Sequence, residues 1–83
     1  MYYVYVLQSQ KDNNLYIGCT RDIDARLTEH NSGLNESTKY RRPFKIIYYE
    51  AFLDKEDAYN REKIMKGQWG RRFLTRVLKN YFK

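Results

Sequence analysis

The 83-residue sequence predicts an α+β fold with the element order β-β-α-β-α-α. Two stretches dense in β-branched and aromatic residues flank a polar turn cluster near the start, and a third follows the single proline. Between and after them, apolar residues recur at helical spacing. A chain this short buries only about 60% of the surface it exposes when unfolded, so one domain over residues 1–83 with a modest core is expected.

Tyr2 to Gln8 carries Tyr2, Val4 and Val6 on one alternating face and Tyr3, Tyr5 and Leu7 on the other. That pattern predicts a strand covered on both sides and central in its sheet. Lys11-Asp12-Asn13-Asn14 supplies turn residues that tolerate left-handed backbone, and Leu15 to Thr20 returns as the second strand of a hairpin. Thr20 or Asp22 can cap a helix from Ile23 to His30 that ends in Asn31-Ser32-Gly33. Leu34 to Arg42 is polar and basic and is closed by Pro43, which has no backbone donor; it reads as a loop. Phe44 to Phe52 resumes strand character. Asp54 opens a helix to about Gln68, and Gly70 separates it from a last helix, Arg71 to Tyr81. There Phe73, Leu74, Val77, Leu78 and Tyr81 form an apolar face, with Arg72, Arg76, Lys79 and Lys83 on a stripe of their own.

Composition narrows the function classes. A hydrophobic content of 42% is above that of disordered chains, yet no apolar run reaches the roughly 18 residues of a membrane span. Cys19 is the only cysteine and His30 the only histidine, which excludes an internal disulfide and a four-ligand structural zinc. The opening Met1 to Leu7 lacks a basic segment and is too short for a signal peptide, so a reducing, cytoplasmic setting is expected. Sixteen Lys and Arg against ten Asp and Glu leave a formal charge of +6, which favours polyanionic partners through counterion release.

Several polar side chains fall where a core would take apolar ones. At roughly 100° per residue, Ile23, Arg26, Leu27 and His30 share an arc of about 100°, so Arg26 and His30 border the buried face. A snorkelling Arg and a hydrogen-bonded structural His are the ordinary explanation. Ala58, Glu62, Met65 and Trp69 fall within about 60° on the same projection, which sets Glu62 in an apolar stripe. A carboxylate there needs a partner. Lys66 at i+4 is the plain one; a hard divalent cation that accepts one carboxylate and keeps its waters is the functional one, and spacing alone leaves both open. Tyr5 and Tyr16 on the hairpin read equally as packing, since a phenol becomes a base only when cations lower its pKa. Cys19 with His30 could form a thiolate pair, but a cysteine inside a strand is ordinarily inert packing.

Taken together, these residues resemble the GIY-YIG nuclease superfamily, in particular its short stand-alone branch related to the excinuclease nuclease module. Tyr3-Val4-Tyr5 stands where that family has Gly-Ile-Tyr, and Tyr16-Ile17-Gly18 matches the second triplet. Thr20-Arg21-Asp22-Ile23-Asp24-Ala25-Arg26-Leu27 followed by His30-Asn31 looks like the family helix, and Ala58-Tyr59-Asn60-Arg61-Glu62 like the segment with the metal-binding Glu. The first triplet lacks its Gly, and Asn80 lies too far along the last helix to match the Asn of some members.

The resemblance implies a small three-stranded antiparallel sheet flanked by helices and a metal-dependent endonuclease acting on DNA, in repair or recombination. Glu62 would be the sole protein ligand of Mg²⁺ or Mn²⁺, and Arg26 would stabilise the phosphorane. Tyr5 would be the base with Tyr16 orienting it, and His30 would share or relay the proton. Lys39, Arg41 and Arg42 in the loop, and Arg72, Arg76 and Lys79 beyond it, can bind phosphates without base selectivity. No base-reading module is present, so cleavage is expected to be structure-guided or directed by a recruiting protein. The rival reading is a nucleic-acid-binding module of the same fold with little or no turnover of its own.

Overall fold

The structure, a computed structural model, describes Met1–Lys83. Its elements are β1 (Tyr2–Ser9), β2 (Leu15–Thr20), α1 (Ile23–Ser32), β3 (Phe44–Phe52), α2 (Lys55–Met65) and α3 (Gln68–Val77). The strands form one antiparallel sheet in the order β2-β1-β3, so β1 is central, as its two apolar faces predict. The hairpin turn places Asn13 in the left-handed region at φ 63°. Ser9 Oγ accepts the Lys11 and Asp12 backbone N–H groups, each at 3.1 Å, and fixes the register.

Period-2 alternation along β1 divides the core between the two sheet faces. Val4 and Val6 pack with Ala58 and Met65 of α2 and Leu74 of α3, whereas Tyr5 and Leu7 pack with Phe44, Leu27 of α1 and Tyr16. A register shift between Val6 and Leu7 keeps Tyr49 paired with Tyr5 and Ile46 with Leu7. Helix α1 starts on Asp22, whose carboxylate accepts the Ala25 N–H at 3.0 Å, and stops on Gly33 at φ 84°. It thus runs two residues beyond the expected His30.

The closing helices differ from expectation. Helix α2 ends at Met65, and α3 starts at Gln68 behind Gly67, so Gly67 rather than Gly70 marks the break. Gly70 lies inside α3, where a Cβ would collide with the Met65 carbonyl, and its missing side chain lets the two helices cross closely. Trp69 consequently leaves the stripe of Glu62. It is 49% exposed and stacks on Phe73 at 5.0 Å. Helix α3 ends at Val77, and Tyr81 beyond it donates to Gln8 Oε1 of β1.

Candidate active site

The site begins with an absence of bulk. Tyr5 on β1 lies directly opposite Gly18 on β2. A Cβ at Gly18 would collide with the Tyr5 hydroxyl and come within 2.6 Å of its Cζ, so only glycine lets the phenol lie across β2 toward the free edge of the sheet. Tyr16, two residues earlier on the same face, sets its ring 6.4 Å from that of Tyr5. His30, in the last turn of α1, is fully buried beneath both rings. Its Nε2 is 3.2 Å from the Tyr5 hydroxyl and its Nδ1 is 2.9 Å from Thr38 Oγ1. Tyr16 meets the imidazole edge-on at 4.8 Å.

Burial lowers the His30 pKa below its ordinary 6.5, the Arg26 guanidinium one turn earlier lowers it further, and Glu29 opposes them. The imidazole is neutral at pH 7. Burial also raises the Tyr5 phenol well above 10, aided by Tyr16 and Glu62 and opposed by Arg26. The cations expected to lower a phenol pKa are outweighed at Tyr5 by desolvation. Arg26 is partly exposed and its Nε lies 3.4 Å from Glu29.

Glu62 on α2 is 21% exposed at its side chain, and its charge acts on both Tyr5 and Cys19. The plain partner is present: Lys66 Nζ is 2.9 Å from Glu62 Oε2, leaving Oε1 without a protein partner. No cluster of three or more His, Cys, Asp or Glu forms around it. One carboxylate oxygen at a polar edge suits Mg²⁺ or Mn²⁺, which keep waters and bind phosphate oxygens, and does not suit an ion that needs an all-protein cage. Cys19 lies on the opposite sheet face, packed against Val4 and Val6, so no Cys19–His30 pair forms. Burial first, then Glu62, raises its thiol pKa.

The structure therefore draws Tyr5, Tyr16, Arg26 and His30 together and sets Glu62 within electrostatic reach. The expected phosphate contacts behave differently. Lys39 pairs with Glu36 at 3.2 Å. Arg41 pairs with Asp12 at 3.2 Å and donates to the Leu15 carbonyl at 3.4 Å, which makes it a brace between loop and hairpin. The Arg42 guanidinium packs on Gly33. Arg72 and Arg76 are exposed, opposite the Gly70 and Leu74 side of α3, and Lys79 is exposed in the turn beyond the helix. Two cations beside the site were not singled out by sequence: Arg21, directly after β2, and Lys55, the first residue of α2. A signal existed for Lys55, because a cation at a helix N-terminus opposes the macrodipole and needs another reason to be there. Asn31 was also missed: it accepts the Phe44 N–H at 2.6 Å and donates to the Phe44 carbonyl at 3.1 Å, tying α1 to β3.

Comparison with known proteins shows the family and the fold. The GIY-YIG catalytic domain family profile matches residues 1–74. A UPF0213 protein of Staphylococcus haemolyticus is 42% identical over 66 residues, covering 78% of this chain and 79% of that protein. A UPF0213 protein of Clostridium perfringens is 40% identical over 67 residues, covering 80% of this chain and 71% of the other. The solution NMR structure of a UPF0213 protein from Bacillus halodurans is similar at a TM-score of 0.56 and 34% identity, over 93% of this chain and 85% of that one. No helix is long and apolar enough to cross a membrane. With the matching profile covering nearly all of the fold and the relatives aligned over most of their own length, the chain belongs to the GIY-YIG nuclease family, alongside its short UPF0213 members.

Proposed function

We propose that the chain is a metal-dependent endonuclease that hydrolyses phosphodiester bonds in DNA, working as one unit over residues 1–83 in a reducing cytoplasm, in repair or recombination. The observation that carries this reading is the grouping of a guanidinium, a hydrogen-bonded phenol–imidazole pair and a carboxylate with one unpaired oxygen at the edge of β2. Hydrolysis requires a deprotonated water, a stabilised phosphorane and a neutralised leaving oxygen.

Arg26 serves the phosphorane, because a guanidinium is permanently charged and forks onto phosphate oxygens. Glu62 would hold Mg²⁺ or Mn²⁺, which when bound supplies charge neutralisation at the phosphate and at the leaving oxygen. Burial keeps Tyr5 neutral, so the proton path runs through it rather than from a phenolate. With the imidazole proton on Nδ1 and donated to Thr38, Nε2 is free to accept the Tyr5 proton as the Tyr5 oxygen receives one from the attacking water. The net transfer is one proton from water to His30, and the phenol ends as it began. Tyr16, against both rings, orients them.

The test is cleavage of plasmid, branched and single-stranded DNA in Mg²⁺ or Mn²⁺. Wild type cuts, Arg26→Ala and Glu62→Gln lose about 10² to 10³ in rate, and Tyr5→Phe and His30→Gln lose about 10² to 10⁴. An inert wild type, or a Glu62→Gln protein that cuts as well as wild type, overturns the reading. The second reading, a nucleic-acid-binding module with little turnover, draws support from the Lys66–Glu62 pair, which supplies a counter-charge to the carboxylate without an ion. It expects salt-sensitive binding and no effect of Glu62→Gln.

A further inference from the structure

Where the end of β2, the start of α1 and the start of α2 meet, a pocket of about 410 Å³ opens beside Arg26. Its walls carry two further cations, Arg21 and Lys55, and two rings, Tyr2 and Tyr59. The Arg21 guanidinium stands 5.3 Å over the Tyr2 ring and Lys55 Nζ 5.4 Å over the Tyr59 ring. Neither cation makes an ion pair, whereas Lys39, Arg41, Arg61 and Lys66 each have a carboxylate. The one acid in the wall, Asp22, is occupied as the cap of α1. Of the three cations in the wall, Arg26 is paired with Glu29 outside the pocket, and Arg21 and Lys55 have no carboxylate of their own. Tyr59 keeps 46% of its surface exposed.

We propose that this pocket is a subsite for one unstacked nucleotide adjoining the phosphate that Arg26 grips, its base lying against Tyr59 and its own phosphate between Arg21 and Lys55. The volume is at the low end for recognition of a small molecule and admits a single nucleotide, not a duplex. Cations poised over aromatic rings serve both halves of a nucleotide, one by charge and the other by stacking. A base offers its face to a ring only when it has left the helical stack. The substrate class is thus nucleic acid with an unpaired nucleotide at the cut: single strands, flaps and gaps. The inference rests on the nuclease reading for where the cut falls, but the subsite itself is measurable without turnover.

The experiment is fluorescence anisotropy of the full chain in EDTA with a labelled 12-nucleotide DNA strand, its duplex and the RNA strand of the same sequence. Wild type prefers the single strand, and equal affinity for strand and duplex overturns the proposal. Tyr59→Ala lowers the single-strand to duplex preference about tenfold, within the range for loss of one stacked base. Tyr59→Phe keeps that preference, and an unchanged ratio in Tyr59→Ala, or an equal loss in Tyr59→Phe, overturns the stacking role. Arg21→Ala with Lys55→Ala reduces the slope of log affinity against log salt by about 0.7, the contribution of the one single-strand phosphate the two cations hold; an unchanged slope removes the phosphate role. DNA and RNA share the base faces and phosphates the pocket recognises, so similar preferences in both arms support the subsite as drawn, and tight binding of RNA alone overturns DNA as its ligand. A wild type that shows the preference but never cuts refutes the nuclease reading and spares the subsite; cutting without the preference does the reverse.

Discussion

The two faces of the sheet solve the problem of buried polarity in opposite ways. Under α2 and α3, Arg61 grips Glu50 with Nε at 2.7 Å and Nη2 at 2.9 Å, and the Tyr48 hydroxyl donates to the same carboxylate at 2.6 Å. Arg61 also lies over Trp69 and Phe73. Both charges of that pair are answered: the Glu50 pKa is lowered, by Arg61 first, and burial followed by Glu50 pushes Tyr48 up to about 12. Under α1, by contrast, Tyr5, His30 and Thr38 form an open chain with no carboxylate in it. A closed ionic cluster contributes a fixed geometry and little else. An open chain of neutral donors and acceptors can pass a proton, and its free end points to the cations around Arg26.

That difference predicts that stability and activity separate by face. Leu74 of α3 is fully buried in the cluster of Val4, Val6, Ala58 and Met65, on the sheet face opposite Tyr5 and Leu7. Leu74→Ala is expected to cost about 2–5 kcal/mol, a large share of the roughly 4–12 kcal/mol expected of a chain this long, while cleavage per folded molecule stays at the wild-type rate. Urea unfolding gives the first quantity and rate normalised to folded fraction the second. If the normalised rate fell with stability, the faces would not be independent.

Asn31 is the next test, because it braces the α1 face through backbone rather than through apolar contact. Its amide replaces a strand neighbour for Phe44, satisfying both the N–H and the carbonyl. Asn31→Ala leaves those groups unpaired and is expected to cost about 1–3 kcal/mol. Asn31→Asp keeps the acceptor, loses the donor and costs less than the alanine variant. It also follows His30 directly, so the alanine variant should lose rate beyond what unfolding explains. A cost below about 0.5 kcal/mol, the range of ordinary surface substitutions, would show that α1 is held by Leu27 and Phe44 alone.

How far these features could be read in the sequence depends on how local their causes are. The hairpin, the bounds of β3, the Asp22 cap and the Gly33 stop follow from residues within a few positions of one another, and the structure repeats them. The α2–α3 break differs from expectation because Gly67 and Gly70 are alike as helix breakers in the sequence, and only the packing of the two helices, which brings the Met65 carbonyl against Gly70, tells them apart. Placing the break at Gly70 puts Trp69 beside Glu62. Tyr5, Tyr16, Arg26 and His30 were reachable through periodicity and family resemblance together, but the Thr38 contact was not, since it depends on how the loop after α1 folds back. Arg41 looked like a phosphate contact because its partner Asp12 lies 29 residues away. Glu50 did carry a signal: alternation along β3 puts it on the face of Tyr48 and Phe52, where an acid needs a cation, and Arg61 in α2 supplies it.

The smallest expected effect is also the most specific to the α1 face. His30 is the only histidine, so its titration is isolated from any other imidazole. Burial and Arg26 lower its folded pKa below 6.5, near which the unfolded chain titrates. Between those two values the unfolded state binds more protons than the native one. Stability therefore falls as pH drops from about 6.5 and levels off below the folded pKa. Replacing the ring by a neutral side chain in His30→Gln removes that slope, so the urea midpoints of variant and wild type change in parallel everywhere except in this window. The imidazole resonances of wild type, followed by NMR from pH 8 downward, should stay in the neutral position past 6.5. If stability instead rose on acidification, the native imidazole would be gaining a proton with a raised pKa, and the α1 face would hold a charge as the opposite face does.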